Sequence, residues 1–162
     1  MKHLLTVLVK NKSGVLTRLT GLFSRRGYNI DSLSVSSTEN PLFSRMTIVV
    51  TADELIMCQI IKQLQKLEDV VKVKELEYEN SVVCELLMLK VKVSDATRKN
   101  IEIICDGVKA EIVDLCNNSV IIKLTDSTCA IDSFIEKLKG YSIIELSRTG
   151  QNALERGKEK LA

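Results

Sequence analysis

The sequence predicts an α+β protein made of two βαββαβ units, and three observations predict it. Apolar residues in the first half switch between a two-residue and a 3.6-residue beat in the order strand, helix, strand, strand, helix, strand. The same order returns in the second half, with a joint near residues 79–81. The chain has 162 residues, 45% of them hydrophobic and 27% charged, which is enough apolar matter for one ordinary domain or two small ones.

The first half is the clearer one. Leu4 to Val9 is a strand. Val15, Leu16, Leu19, Leu22 and Phe23 fall on one helical face, and Gly27 ends that helix. Leu33 and Val35 alternate with serines, which gives a strand up to Glu39. Asn40-Pro41 is a turn and holds the chain's single proline. Met46, Ile48 and Val50 alternate in the next strand. Thr51-Ala52-Asp53-Glu54 has capping-box spacing. Met57, Ile60, Ile61, Leu64 and Leu67 form the second helical stripe, and Val71 and Val73 alternate with lysines in a closing strand.

In the second half, Val82 to Val93 is a long apolar strand. Ser94-Asp95 is placed to cap a helix carrying Ile101, Ile104 and Cys105 on one face. Ile112, Val113 and Leu115 form a strand, Asn117-Asn118 a tight turn, and Val120 to Leu124 the return strand. Ile131, Phe134, Ile135 and Leu138 share a helical face before Gly140, and Ile143 to Leu146 closes. The tail from Ser147 to Ala162 has few apolar residues and is expected to fray or to dock elsewhere. Each βαββαβ run then places two helices on one face of a four-stranded antiparallel sheet, the split βαβ or ferredoxin-like arrangement. Domains at 1–78 and 82–162 follow. One face of each sheet has no helix. In the first unit that face carries serines and threonines, and it is expected to be solvated or to meet another sheet edge to edge. Units of this size have little spare stability, so a homodimer is expected.

Several function classes are disfavoured. Formal net charge is +2 with the two signs interspersed, so phosphate-driven nucleic-acid binding is not indicated. The central strands Leu4 to Val9 and Arg45 to Val50 carry no aromatic residue on which an RNA base would stack. No run approaches the roughly 18 apolar residues that span a bilayer, and Met1-Lys2-His3-Leu4 runs straight into a strand, so neither a membrane span nor a signal peptide is expected. Cys58, Cys84, Cys105, Cys116 and Cys129 are irregularly spaced without a C-x-x-C, which reads as reduced, mostly buried thiols in the cytoplasm. The single His3 removes most triad and His-metal chemistry. Glu75 and Glu77 point outward from a strand and read as solubility. No catalytic residue and no metal ligand is identified.

Three segments attract functional readings. Asn11 to Leu16 sits at the mouth of the first helix. As a ligand loop, Asn11 offers its amide, Gly14 allows close approach, and the free N–H groups hold a carboxylate. As an ordinary turn, Ser13 is the N-cap and Gly14 a spacer. Arg25-Arg26-Gly27 reads as a helix C-terminus, which leaves Asn29 as either a turn residue or a site residue. Arg45 at a strand start reads as a solvated charge, the alternative being an ion pair or a partner contact.

These residues resemble the small, regulatory subunit of acetolactate synthase (acetohydroxyacid synthase), whose N-terminal half is an ACT domain. The matching segments are NKSGVLTRLTGLFSRRGYNIDSL from 11 to 33, SRMTIVV from 44 to 50 and QLQKLEDVVKV from 63 to 73. RTGQNALERGKE from 148 to 159 resembles the family's ending. The segment between Val93 and Ala110 departs from the family by being short, which bears on the helix assigned there.

The resemblance implies a protein that is not an enzyme by itself. It implies a partner, the catalytic large subunit, which would carry thiamine diphosphate, FAD and Mg; no cofactor is expected on this chain. It implies activation of that subunit and feedback inhibition by valine in branched-chain amino acid biosynthesis. Valine would lie between two ACT domains. Asn11, Gly14, Val15 and Leu16 of one copy would face Asn29 and Ile30 of the other. Amides at 14–16 suit the carboxylate, the carbonyls of Asn11 and Asn29 suit the ammonium, and Val15, Leu16 and Ile30 suit the branched side chain. The alternative is a free-standing ACT-type amino-acid sensor acting on a different enzyme or regulator.

Overall fold

A computed structural model describes residues 1–158 and 161. The element order is β1 (Lys2–Lys10), α1 (Val15–Arg25), β2 (Ser32–Ser37), β3 (Phe43–Thr51), α2 (Glu54–Leu64), β4 (Val70–Leu76), β5 (Ser81–Lys92), α3 (Asp95–Asp106), β6 (Glu111–Leu115), β7 (Ser119–Asp126), α4 (Thr128–Lys137), β8 (Ile143–Arg148) and β9 (Asn152–Glu155). The chain forms two compact units, residues 1–83 with 150–162, and residues 84–149. The short strand β9 was not foreseen, and it belongs to the first unit rather than to the second, where the domain boundary at 82 had placed it.

In the first unit the sheet order is β2-β3-β1-β4, with β1 antiparallel to both neighbours. Leu5, Val7 and Val9 of β1 face the helices. They pack with Val15, Leu19, Leu22 and Phe23 of α1 and Met57, Ile60 and Leu64 of α2. Leu16, expected on that inner stripe, is 40% exposed. A stripe of three to four residues per two turns is all the sheet can cover, and Val15 already fills the place. Helix α1 ends with the Gly27 N–H on Ser24 O and the Tyr28 N–H on Phe23 O, and Tyr28 packs on the same core. Helix α2 stops three residues short of Leu67, and its N-cap is Asp53, whose carboxylate accepts from Ile56 N at 2.8 Å. Thr51 therefore does not cap it; its hydroxyl donates to Asp31 at 2.6 Å.

The sheet face without helices is not left to solvent. Leu4 packs there with Val49, Leu76, Val83 and Ala153. That is why Leu4 to Val9 are buried on both faces, where a half-solvated strand would alternate. The returning chain is held at several points. Gly150 fits where a Cβ would lie 2.6 Å from Ser32 Oγ and 2.9 Å from the Leu33 carbonyl oxygen, so any side chain is excluded. Gln151 N donates to Ser32 Oγ at 3.0 Å, Tyr78 donates to Gln151 Oε1 at 3.0 Å, and Lys74 pairs with Glu155. Arg45 donates to Ala153 O at 2.9 Å and is half-buried, so it is not the solvated charge its position suggested. Of the tail Ser147–Ala162, residues 159, 160 and 162 lie outside the described residues.

The second unit repeats the plan with sheet order β6-β7-β5-β8. Leu87, Leu89 and Val91 of β5 and Val120, Ile122 and Leu124 of β7 pack against Ile101 and Cys105 of α3 and Ile131 and Phe134 of α4. The shortened segment still makes a twelve-residue helix. A buried carboxylate, Glu85, accepts from Arg148 and Thr128, and Arg148 also reaches Asp132 at 2.6 Å. The cysteines differ from expectation: Cys105 is buried, Cys84 intermediate, and Cys58, Cys116 and Cys129 are exposed. Cys58 and Cys129 have apolar neighbours in sequence, but those neighbours turn inward on their helices while the thiols face out. His3, the lone imidazole, is spent on structure, with Nδ1 2.6 Å from Glu75 and Nε2 3.2 Å from Ala52 O.

Candidate functional site

The chain leaves β1 at Lys10 and turns into α1. Asn11 fixes that turn: its N–H donates to Leu42 O at 2.7 Å and its Nδ2 to Pro41 O at 2.9 Å. Its side-chain carbonyl makes no hydrogen bond among the described residues. Gly14 is the N-cap of α1 and sits at φ 81°, in the left-handed region where a Cβ is strained. Ser13 does not cap the helix. The amides of Leu16 and Thr17 make no hydrogen bond among the described residues, so the positive end of α1 opens outward.

The other helices differ. Asp53 caps α2, and Ser127 Oγ accepts from Ala130 N at 3.3 Å to cap α4. At α3 the Ser94 N–H donates to Thr97 Oγ1 at 2.9 Å, and the two hydroxyls lie 3.2 Å apart. An exposed glycine at the mouth of α1 thus leaves a preformed cradle for an anion.

Arg18 is a neighbour that sequence reasoning missed. A Cβ on Gly14 would lie 3.2 Å from its Nη1, and its Nη2 pairs with Asp69. A cavity of about 320 Å³ opens here, walled by Val15, Leu19, Leu67 and Val70 with Arg18 and Asp69 at its rim. The signal was the spacing of Arg18 four residues after Gly14, one helical turn on. Val15 is only 4% exposed, which leaves Leu16 as the outward apolar side chain of the loop.

Asn29 and Ile30 lie elsewhere. Asn29 Nδ2 donates to Asp31 Oδ1 at 2.9 Å, and Asp31 N donates to Val49 O at 2.9 Å. Ile30 packs against the first core. In the register of β1 with β3, Lys10 opposes Phe43 while Lys2 opposes Thr51. Asn11 is therefore at one end of the sheet and Asn29 at the other, roughly 27 Å away by strand rise. One chain brings Asn11, Gly14, Val15 and Leu16 together and does not bring Asn29 and Ile30 to them.

Comparison with known proteins agrees along the whole chain. The family described as AHAS small subunit-like ACT domain matches residues 5–72, and the family described as small subunit of acetolactate synthase matches residues 84–157. The acetolactate synthase small subunit of Bacillus subtilis is 40% identical over 163 residues, covering 100% of this chain and 95% of its own. The acetolactate synthase isozyme 3 small subunit of Escherichia coli is 38% identical, with 97% of each chain covered. The crystal structure of the acetolactate synthase small subunit from Thermotoga maritima superposes with a TM-score of 0.92 at 35% identity, covering 98% of this chain and 99% of that one.

Proposed function

The chain belongs to the acetolactate synthase small-subunit family, and from that premise we propose that it is a cytoplasmic regulatory subunit sensing valine. It binds a thiamine-diphosphate-dependent catalytic large subunit, raises its activity and conveys feedback inhibition. Thiamine diphosphate, FAD and Mg belong to that partner. No helix among the described residues is long and apolar enough to cross a membrane.

The observation that carries the reading is the uncapped mouth of α1 at Gly14, which supports a carboxylate site. The separation of the two site halves supports a dimer. Strand β2 is an edge of the first sheet, and Val35 on it is 45% exposed. Two copies paired edge to edge through β2, about a twofold perpendicular to the strands, run antiparallel there. That lays the Asn29 end of one copy beside the Asn11–Leu16 end of the other. Valine then has amides for its carboxylate, the Asn11 and Asn29 carbonyls for its ammonium, and Leu16 against its methyls.

Inhibition requires valine to prefer the inhibitory arrangement of the complex over the active one. Couplings of this kind are about 1–3 kcal/mol, or about 5- to 150-fold in affinity. The test is an acetolactate assay of the catalytic subunit, with and without this chain, across a valine series. The expected result is activation by the chain and loss of that activation as valine rises. Asn29→His should blunt the inhibition and keep the activation. An assay in which the chain changes neither rate nor valine response refutes the proposal.

A further inference from the structure

A second cavity lies on the opposite face of the first sheet, at the same end as the α1 loop. Register places Leu8, Arg45 and Ser36 in one row across β1, β3 and β2, on the face without helices. The returning chain adds Leu154 and Leu161, and Phe43 closes one end. The space is about 430 Å³ and open to solvent on one side, within the range that small ligands occupy.

Leu8, Phe43, Leu154 and Leu161 give it an apolar side around the Arg45 cation, and residues 36–40 give it a polar rim that includes Glu39. Arg45 spends one N–H on the Ala153 carbonyl, while its Nε is buried and has no partner among the described residues. A guanidinium carries five N–H donors in a fixed fork, and buried donors are ordinarily satisfied. Burial pushes the Arg45 guanidinium down from its ordinary value, partly offset by nearby Glu39, but leaves it cationic. No side-chain carboxylate pairs with Arg45 among the described residues. Leu161, from a tail with few apolar residues, is only 8% exposed, and its side chain forms part of the cavity wall.

We propose that this cavity is a second small-molecule site, for a carboxylate on a short branched aliphatic chain. Arg45 takes the carboxylate, and Leu8, Phe43, Leu154 and Leu161 take the hydrocarbon. A carboxylate accepts from a guanidinium through two oxygens, and the apolar side of the cavity favours an organic anion over an inorganic one, which would leave Leu8, Phe43, Leu154 and Leu161 without a partner. The occupant bridges the sheet to β9, so binding tightens the grip of the returning chain on the first unit. The site shares no lining residue with the α1 loop and stands or falls separately from the valine reading.

The test is methyl NMR on the full chain, with 3-methylbutanoate as probe and 3-methylbutanamide as its uncharged match. The acid should shift the methyls of Leu8, Leu154 and Leu161 saturably, and the amide should bind about tenfold to hundredfold more weakly. Arg45→Met should lose affinity by a similar factor. Because Arg45 also holds Ala153, Leu154→Trp serves as a second variant, which fills the cavity and should abolish the shifts while the tail stays docked. Valine titrated into Gly14→Asp separates the sources: shifts at the same methyls assign an amino acid whose ammonium meets Glu39, and shifts with the simple acid alone assign a monocarboxylate. Equal affinity for acid and amide, or no shift with either acid up to about 10 mM, overturns the proposal.

Discussion

Helices α1 and α3 occupy the same place in the two repeats, each following the first strand of its unit, yet their first turns are built differently. At α3, Ser94 and Thr97 lay two hydroxyls over the helix mouth and take up the Ser94 N–H. At α1, Gly14 brings no side chain and holds a left-handed backbone. The closed start serves its own helix. The open start forgoes a side-chain cap at a cost of only about a few tenths of a kcal/mol, since glycine is itself a fair N-cap, and leaves its first amides exposed. One plan therefore closes the helix mouth in one unit and leaves it open in the other, and the residue at the N-cap makes the difference.

The largest expected effect breaks that contrast at α1. Gly14→Asp places a carboxylate in the cradle. Its Cβ meets only the tip of the flexible Arg18 side chain, and aspartate tolerates φ > 0 better than most residues, so the fold should survive with a loss of about 1 kcal/mol. Valine, whose own carboxylate is repelled, should bind at least about a hundredfold more weakly, roughly 2.7 kcal/mol. Titration calorimetry checks this, and unchanged affinity would place the ligand elsewhere.

A second contrast lies in the sheets. In β1 every residue from Leu4 to Val9 is buried, whereas β5 alternates over Leu87 to Val91. The difference is the returning chain, which covers the first sheet's second face. Gly150→Val drives a side chain into the Ser32 hydroxyl and the Leu33 backbone. Backbone cannot yield as a flexible side chain does, so the cost should be about 1–3 kcal/mol. Hydrogen exchange should rise in β9 and on β2 and leave α3 and α4 unchanged. Equal loosening of the second unit would show that the tail does not act on the first unit alone.

That covered face also marks where sequence reading stopped. The βαββαβ beat was legible because each helix offers a single apolar stripe and each strand alternates, and both patterns depend only on local period. The run Leu4 to Val9 is apolar on both faces but for Thr6, yet the serines and threonines of the neighbouring strands argued for a solvated face. Nothing local, however, names the cover, which comes from more than a hundred residues away. The tail's sparse apolar residues, Ala153, Leu154 and Leu161, gave no periodic signal. The loop of the candidate site was legible as a glycine before an amphipathic run. The partition of its residues between two ends of the sheet was not, because it follows from strand register.

The smallest effect tests the contrast from its closed side. Ser94→Ala removes the hydroxyl that lies 3.2 Å from Thr97 Oγ1 and that screens the mouth of α3. The Thr97 hydroxyl can still accept from residue 94 N–H, so half of the reciprocal arrangement remains. The loss should therefore be about 1 kcal/mol, at the middle of the range for N-cap serines. It should fall on the second unit only, seen as faster exchange of the Thr97 and Arg98 amides, which point at Ser94 O. Valine affinity should not move, since α3 offers no open cradle in the parent chain. If instead the variant gained a weak carboxylate site at α3, the serine would be shown to close a cradle that the fold builds at both helix starts, and the difference between the repeats would reduce to a single hydroxyl.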